Sequence, residues 1–213
     1  MSRPRYARYA GLIGLLVIVL VVITTLLAKS DGASGIAPGQ KLPPFAVPLA
    51  LGSLQGAANT ATRPHQGSAG NVPACTVHGT DVLNICALYQ QGPLVLALFV
   101  DEGSCPAVLG EMQMLSRSFP EVRFAAVSIK GERSQLRRLV RSRRLTLPVG
   151  IDEEGTLASL YKIFSCPQVD FAYPGGVQQS KALLQTPSLA GLRARVSELL
   201  AASRARGWRG SSA

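Results

Sequence analysis

The stretch PLVLALFVDEGSCPAVLGEM, residues 93–112, decides the fold. Its apolar run at 94–100 reads as a buried strand, and the acidic, glycine-containing segment after it reads as a turn. Cys105 then stands immediately before Pro106, a residue suited to the first position of a helix, and an amphipathic segment follows. The order is strand, turn, and a thiol at the first turn of a helix. Unpaired backbone N–H groups and the positive end of the helix dipole favour a thiolate there, and thiolate is the nucleophilic form of cysteine. A second Cys-Pro pair, Cys166-Pro167, follows 61 residues on.

Downstream, Val108, Leu109, Met112, Leu115 and Phe119 recur at helical spacing. VRFAAVSI at 122–129 is a second buried strand. Leu136, Leu139 and Val140 mark another helix, with Arg133, Arg137, Arg138, Arg141 and Arg144 on its outer side. LPVGID at 147–152 is a third strand, ended by Glu153-Glu154-Gly155, and Leu157, Leu160 and Tyr161 form a short helix. Residues 169–173 read as a strand joined through Pro174-Gly175-Gly176 to a hairpin partner at 177–184. Thr186 is the expected cap, and Pro187 the first position, of a last helix carrying Leu189, Leu192, Val196, Leu199 and Leu200. Strands alternating with helices imply an α/β domain with right-handed crossovers and a mixed sheet covered on both faces.

Upstream, LPPFAVPLAL at 42–51 suits an extended edge segment because of its prolines. Residues 52–73 are rich in Gly, Ala, Ser, Asn and Thr without periodicity and read as a loop. Nearer the start, 10–28 hold nineteen residues without a charge, preceded by Arg3, Arg5 and Arg8. As a helix these would span roughly 28 Å, close to the hydrocarbon thickness of a bilayer. The basic flank places the N-terminus in the cytoplasm and the domain outside it, at the cell membrane on a single-pass anchor. A cleaved signal peptide has the same layout, but the run is longer than most signal cores and no Ala-x-Ala site follows closely. The expected organisation is a basic segment at 1–9, an anchor at 10–28, a linker at 29–38, the α/β domain at 39–205 with a loop-rich insertion at 52–92, and a polar tail at 206–213.

In an exported domain four cysteines are read as disulfide candidates. Cys75 and Cys86 enclose a ten-residue loop, the geometry of a structural bridge that pins the insertion. His78, three residues after Cys75, invites a metal reading, but His65 and His78 are the whole histidine complement and form no zinc-like four-ligand pattern. The same scarcity argues against Ser-His or Cys-His catalysis, no phosphate-cradling glycine motif is present, and no cofactor is expected. The net charge of +10 clusters at 117–144 and 193–209. Outside the cytoplasm it points away from nucleic acid. A solvated basic helix face accounts for it most simply; anionic lipid or an acidic protein partner are the functional alternatives.

The order βαβ then αββα, with Cys-Pro after the first core strand, resembles the thioredoxin fold. It looks most like membrane-anchored, extracytoplasmic thioredoxin-like and redoxin proteins related to the alkyl hydroperoxide reductase/thiol-specific antioxidant group. PPF at 43–45, EVRFAAVSIKGE at 121–132 and LPVGIDEEGTLASLYKI at 147–163 carry the likeness. The resemblance implies that Pro167 is a cis-proline facing the active cysteine and positioning substrate. It also implies that Cys105 is the attacking residue. Where the family's oxidoreductases have Trp-Cys-x-x-Cys, this chain has Ser104-Cys105-Pro106-Ala107-Val108, so the resolving cysteine is a valine. The residue before the cis-proline lies beside the active cysteine in that fold, so Cys166 is the expected replacement. The peroxidase branch expects Thr or Ser three residues before its cysteine and Pro seven before; here stand Glu102 and Leu98. The expected activity is thiol–disulfide exchange with a protein thiol or disulfide partner, catalysed by Cys105 with Cys166. A thiol peroxidase using Cys105 alone and a catalytically degenerate binding module are the alternatives. Glu102 and Glu111 read as surface residues, and Trp208 as a lipid-interface anchor or a residue without a role.

Overall fold

The computed structural model describes residues 13–21, 35–54 and 72–210. The chain divides into two units, Met1–Ala33 and Ser34–Ala213. In the first, residues 13–21 are helical with exposed apolar side chains, Ile13, Leu16 and Ile18 among them. The remainder of the expected anchor at 10–28 lies outside the described residues, and among those described no helix is long and apolar enough to cross a membrane.

The second unit is built on a four-stranded mixed sheet. Its members are β3 (Leu94–Phe99), β4 (Arg123–Ser128), β5 (Val149–Ile151) and β6 (Gln168–Ala172), in the order β5-β4-β3-β6. Strands β3, β4 and β5 are parallel, while β6 runs antiparallel to β3 with Leu98 opposite Gln168. Every residue of β3 is buried, the signature of a strand covered on both faces. Val95, Ala97 and Phe99 face one layer of helices: α2 (Val108–Ser118), α3 (Arg133–Ser142) and α5 (Leu189–Ala205). Leu94, Leu96 and Leu98 face the other layer, which holds α1 (Ile85–Gln91), α4 (Thr156–Leu160) and a small antiparallel sheet. That small sheet pairs β1 (Ala46–Pro48) with β2 (Val82–Asn84). The period-two alternation within β3 thus assigns the two cores directly from sequence.

Several expectations change. Residues 177–184 do not form a continuous strand beside β6. They touch it through isolated bridges, Ala172 with Gln178 and Val169 with Leu183. Four residues lie between the bridged positions on one side and two on the other, so the surplus breaks the ladder as a bulge does. Arg195 holds that bulge, donating to Ser180 Oγ and the Lys181 carbonyl. The last helix begins at Leu189 and is capped by Ser188, whose Oγ accepts the Gly191 N–H, rather than by Thr186. The 42–51 segment contributes only Ala46–Pro48 to a strand, and that strand belongs to the small sheet, reaching β5 through a Leu49–Gly150 bridge. Gly150 allows this approach, because a Cβ there would run into Val47 Cγ2. Gly35 and Ile36, expected in the linker, are buried, and the Gly35 N–H donates to the Lys162 carbonyl. Trp208 is half-buried rather than free in a polar tail. A Cβ on Gly92 would lie 3.2 Å from its indole, and Arg204 pairs with Glu121 nearby at 2.5 Å.

Candidate active site

Strand β3 ends at Phe99 and the chain turns through Asp101, Glu102 and Gly103, which has φ +57° and so suits a residue without a side chain. A 3-10 turn, Cys105–Ala107, then leads into α2. Cys105 therefore stands one turn ahead of the α-helix proper. No side chain caps this turn, and the Cys105 N–H donates to the Glu102 carbonyl at 3.3 Å. Pro106 is buried and anchors the turn, while Cys105 is half-buried.

Cys166 arrives from the opposite direction, at the entrance to β6. The antiparallel pairing that sets Leu98 against Gln168 carries Cys166 to the C-terminal end of β3. There Cys105 and Cys166 are joined as a disulfide with Cα atoms 5.5 Å apart, inside the range a bridge requires. The Cys166–Pro167 peptide bond is cis, and Pro167 is buried. Cys166 packs against the core layer that holds α2, and its Sγ accepts the backbone N–H of Val100 at 3.3 Å. The loop before it is fixed by Ser165, whose Oγ donates to the Leu184 carbonyl, and leaves Phe164 63% exposed two residues from the bridge.

Charge around the site is uneven. Glu102 is exposed on the strand side of Cys105. Glu111, on α2, is half-buried rather than at the surface: its Oε2 is buried without a partner, and burial pushes its pKa up from the ordinary glutamate value. On the helix side Arg143, the residue closing α3, donates from Nη1 to the Pro106 carbonyl at 2.6 Å. Sequence spacing had placed the arginines of α3 on a solvated face. Arg143 was missed because a partner 37 residues away leaves no local periodicity.

The second cysteine pair lies elsewhere. Cys75 and Cys86 form a disulfide with Cα atoms 5.4 Å apart, which leaves neither for a metal. Cys86 is buried in the first turn of α1, where the Asn84 side chain accepts the N–H groups of Cys86 and Ala87. The same Asn84 amide donates to the Ala74 and Val77 carbonyls, tying the segment on both sides of Cys75 to the helix.

A further buried group was not anticipated from the sequence. Asp170 of β6 is fully buried and accepts Nε2–H groups from Gln168 at 2.9 Å and Gln178 at 2.8 Å. Burial pushes its pKa up to about 6, with the two hydrogen bonds opposing. The Oε1 atoms of both glutamines lack partners, so a glutamine amide turned over would offer an acceptor to a protonated Asp170 in place of its Nε2–H donation.

A β3-centred mixed sheet, helices on both faces and a cysteine at the C-terminal end of β3 opposite a Cys-Pro dipeptide define a thioredoxin-like α/β fold. Solved structures share it. A Chlorobium tepidum protein assigned as the thiol:disulfide interchange protein DsbE superposes with a TM-score of 0.58 at 14% identity, over 78% of this chain and 99% of that one. Peroxidoxin BcpB from Mycobacterium tuberculosis superposes at 0.55 and 15% identity, over 80% and 97%. A thiol-disulfide oxidoreductase from Bacteroides fragilis NCTC 9343 superposes at 0.50 and 17% identity, over 76% and 100%. At these identities the likeness is one of fold. No protein-family model matches the sequence, and no curated protein matches it.

Proposed function

We propose that this protein is a thiol–disulfide oxidoreductase of thioredoxin-like type, tethered to the cell membrane with its domain on the extracytoplasmic side. The reaction uses Cys105 and Cys166 in place of a vicinal pair, with protein thiols or disulfides as substrates. The observation that carries the reading is the half-buried Cys105–Cys166 bridge at the C-terminal end of the central strand, 61 residues apart in sequence yet 5.5 Å between Cα atoms. Anchoring rests on the uncharged run at 10–28 behind a basic flank.

The polarity of the bridge follows from its surroundings. A substrate thiolate attacks Cys105 Sγ, a substrate–Cys105 disulfide forms, the Cys105–Cys166 bond breaks, and Cys166 leaves as a thiolate. The Val100 N–H is already directed at that sulfur and stabilises the charge it gains. A second substrate thiolate then attacks the substrate's sulfur in the mixed disulfide and releases Cys105 as a thiolate. The substrate loses two electrons to the cysteine pair, and its two thiol protons are available to the two protein thiolates. Run backwards, the same steps reduce a substrate disulfide. Pro167, buried and next to Cys166, is the residue assigned to positioning the substrate for both directions.

Cys166→Ser in the full chain, incubated with a disulfide peptide, should accumulate a mixed disulfide at Cys105 that mass spectrometry locates. Adducts absent from Cys105, or equally abundant in Cys105→Ser, would overturn the assignment. A peroxidase using Cys105 alone would instead form a sulfenic acid at Cys105 with stoichiometric peroxide.

A further inference from the structure

Six arginines fall within twelve residues of α3 and its end: Arg133, Arg137, Arg138, Arg141, Arg143 and Arg144. Three are engaged by the fold. Arg133 pairs with Glu153 at 3.2 Å and donates to the Leu49 carbonyl; Arg137 donates to the Ala50 and Gly52 carbonyls; Arg143 donates to Pro106. No ion pair among the described residues neutralises Arg137, Arg138, Arg141, Arg143 or Arg144.

Arg143 differs from the rest in where it goes. Its side chain crosses from the end of α3 to the residue that follows Cys105, yet it stays exposed. A guanidinium has five N–H donors, and a single one is used on Pro106, so the remaining donors of this exposed side chain are free at the residue next to Cys105. The guanidinium fork matches a carboxylate in shape and charge. Across the cysteine, Glu102 is exposed on the other side of the same turn. The turn therefore presents a charge gradient, negative before Cys105 and positive after it. A ligand held there must also deliver a sulfur to Cys105, which an acidic polypeptide carrying cysteine does.

We propose that Arg143 is a carboxylate-binding subsite of the exchange reaction, selecting thiol and disulfide substrates with an acidic residue beside the reacting cysteine. This rests on the oxidoreductase reading above. Arg143 holds the Cys105 turn through the Pro106 carbonyl and reads the substrate's flanking charge with its free donors. Electrostatic attraction at an exposed site of this kind raises the exchange rate modestly and fades with salt.

The test uses the full chain with its Cys105–Cys166 pair oxidised, and two dithiol peptides that differ only in carrying aspartate or lysine beside the cysteines. The measured quantity is the ratio of their second-order exchange rates, which cancels any distortion of the turn common to both. At low ionic strength the aspartate peptide should react about threefold faster, with the ratio falling toward one in high salt. Arg143→Gln should bring the ratio to about one, Arg143→Lys should keep part of it, and Glu102→Gln should raise it. A ratio of one in the unaltered protein, or a ratio unmoved by Arg143→Gln, overturns the subsite while exchange itself stands. Failure of both peptides to exchange overturns the oxidoreductase reading and this inference with it.

Discussion

The two disulfides have nearly the same Cα separation, 5.4 and 5.5 Å, but the chain treats them differently. Cys75 and Cys86 are 11 residues apart, one of them is buried, and the Asn84 side chain, donating to the Val77 carbonyl, knits the loop between them to the helix that carries Cys86. Cys105 and Cys166 are 61 residues apart, both half-buried, each followed by a buried proline, and one sulfur is already the target of a backbone N–H. Bridge geometry alone therefore does not assign a role. On the proposed function the company of the sulfurs separates a staple from a reaction centre: a buried Cys86, a Cys75 Sγ 3.9 Å from the Tyr89 hydroxyl and Asn84 hydrogen bonds that close the loop in one case, and two half-buried cysteines with a backbone N–H directed at the leaving sulfur in the other.

The sharpest way to break this contrast is to remove one cysteine from each pair. Cys105→Ser should lower the rate of exchange with dithiol peptides on the order of a thousandfold or more, because without Cys105 the bridge that the peptide thiolate attacks cannot form. Cys86→Ala in the same assay should leave exchange within a few-fold of the parent. Comparable losses in both variants would erase the distinction.

Stability sharpens it from the other side. Loop-closure entropy assigns about 3 kcal/mol to a bridge of this shorter span and about 4 kcal/mol to one of the longer. Denaturant unfolding of Cys75→Ala/Cys86→Ala should show a loss of about 3 kcal/mol, and an unchanged midpoint would mean that the bridge pins nothing.

Asp170 lies on the same strand that delivers Cys166, and its effect is set by burial. Its folded pKa of about 6 stands above the ordinary aspartate value of 3.8. The folded state therefore binds more protons between those values, and its stability falls as pH rises through that window. The displacement corresponds to about 3 kcal/mol, present in full below the unfolded pKa and lost above the folded one. Asp170→Asn keeps a neutral amide that can donate to a glutamine Oε1, so it should be more stable than the parent at pH 7 and should lose the decline between pH 4 and 6. Parallel pH–stability curves for the two proteins would contradict the burial argument.

The smallest expected effect is at the chain's end. Trp208→Ala removes the indole that packs on Gly92 and should cost about 1–2 kcal/mol while leaving exchange intact. A change in exchange rate there would connect the tail to the reaction centre.

Legibility followed the range of the interactions. The strands β3 and β4 and the helices α2 and α3 were readable because burial on two faces, or on one helical stripe, writes a period into consecutive residues. Cys105 was readable from its strand–turn–helix setting, whereas Cys166 as its neighbour came through the likeness to the thioredoxin fold. The bulged partner of β6 was not legible: apolar residues stand only at the two ends of 177–184, around a polar run at 178–181 that fixes no register, and the two extra residues that break the ladder are held by Arg195 from a later helix. Ser188 stands as the cap in place of Thr186: either hydroxyl fits the local pattern, and it is the Ser188 Oγ that accepts the Gly191 N–H. Arg143, Asp170 and Trp208 were missed for one shared reason. Each owes its role to partners distant in sequence, or to burial that no neighbouring residue announces.

The most direct test of the account is non-reducing peptide mapping by mass spectrometry on the full chain across a titration with a defined thiol/disulfide buffer. The Cys105–Cys166 linkage should open and close reversibly at a moderately oxidising potential while Cys75–Cys86 stays closed throughout. A Cys105–Cys166 bridge that resists the whole titration, or opens together with Cys75–Cys86, would contradict it.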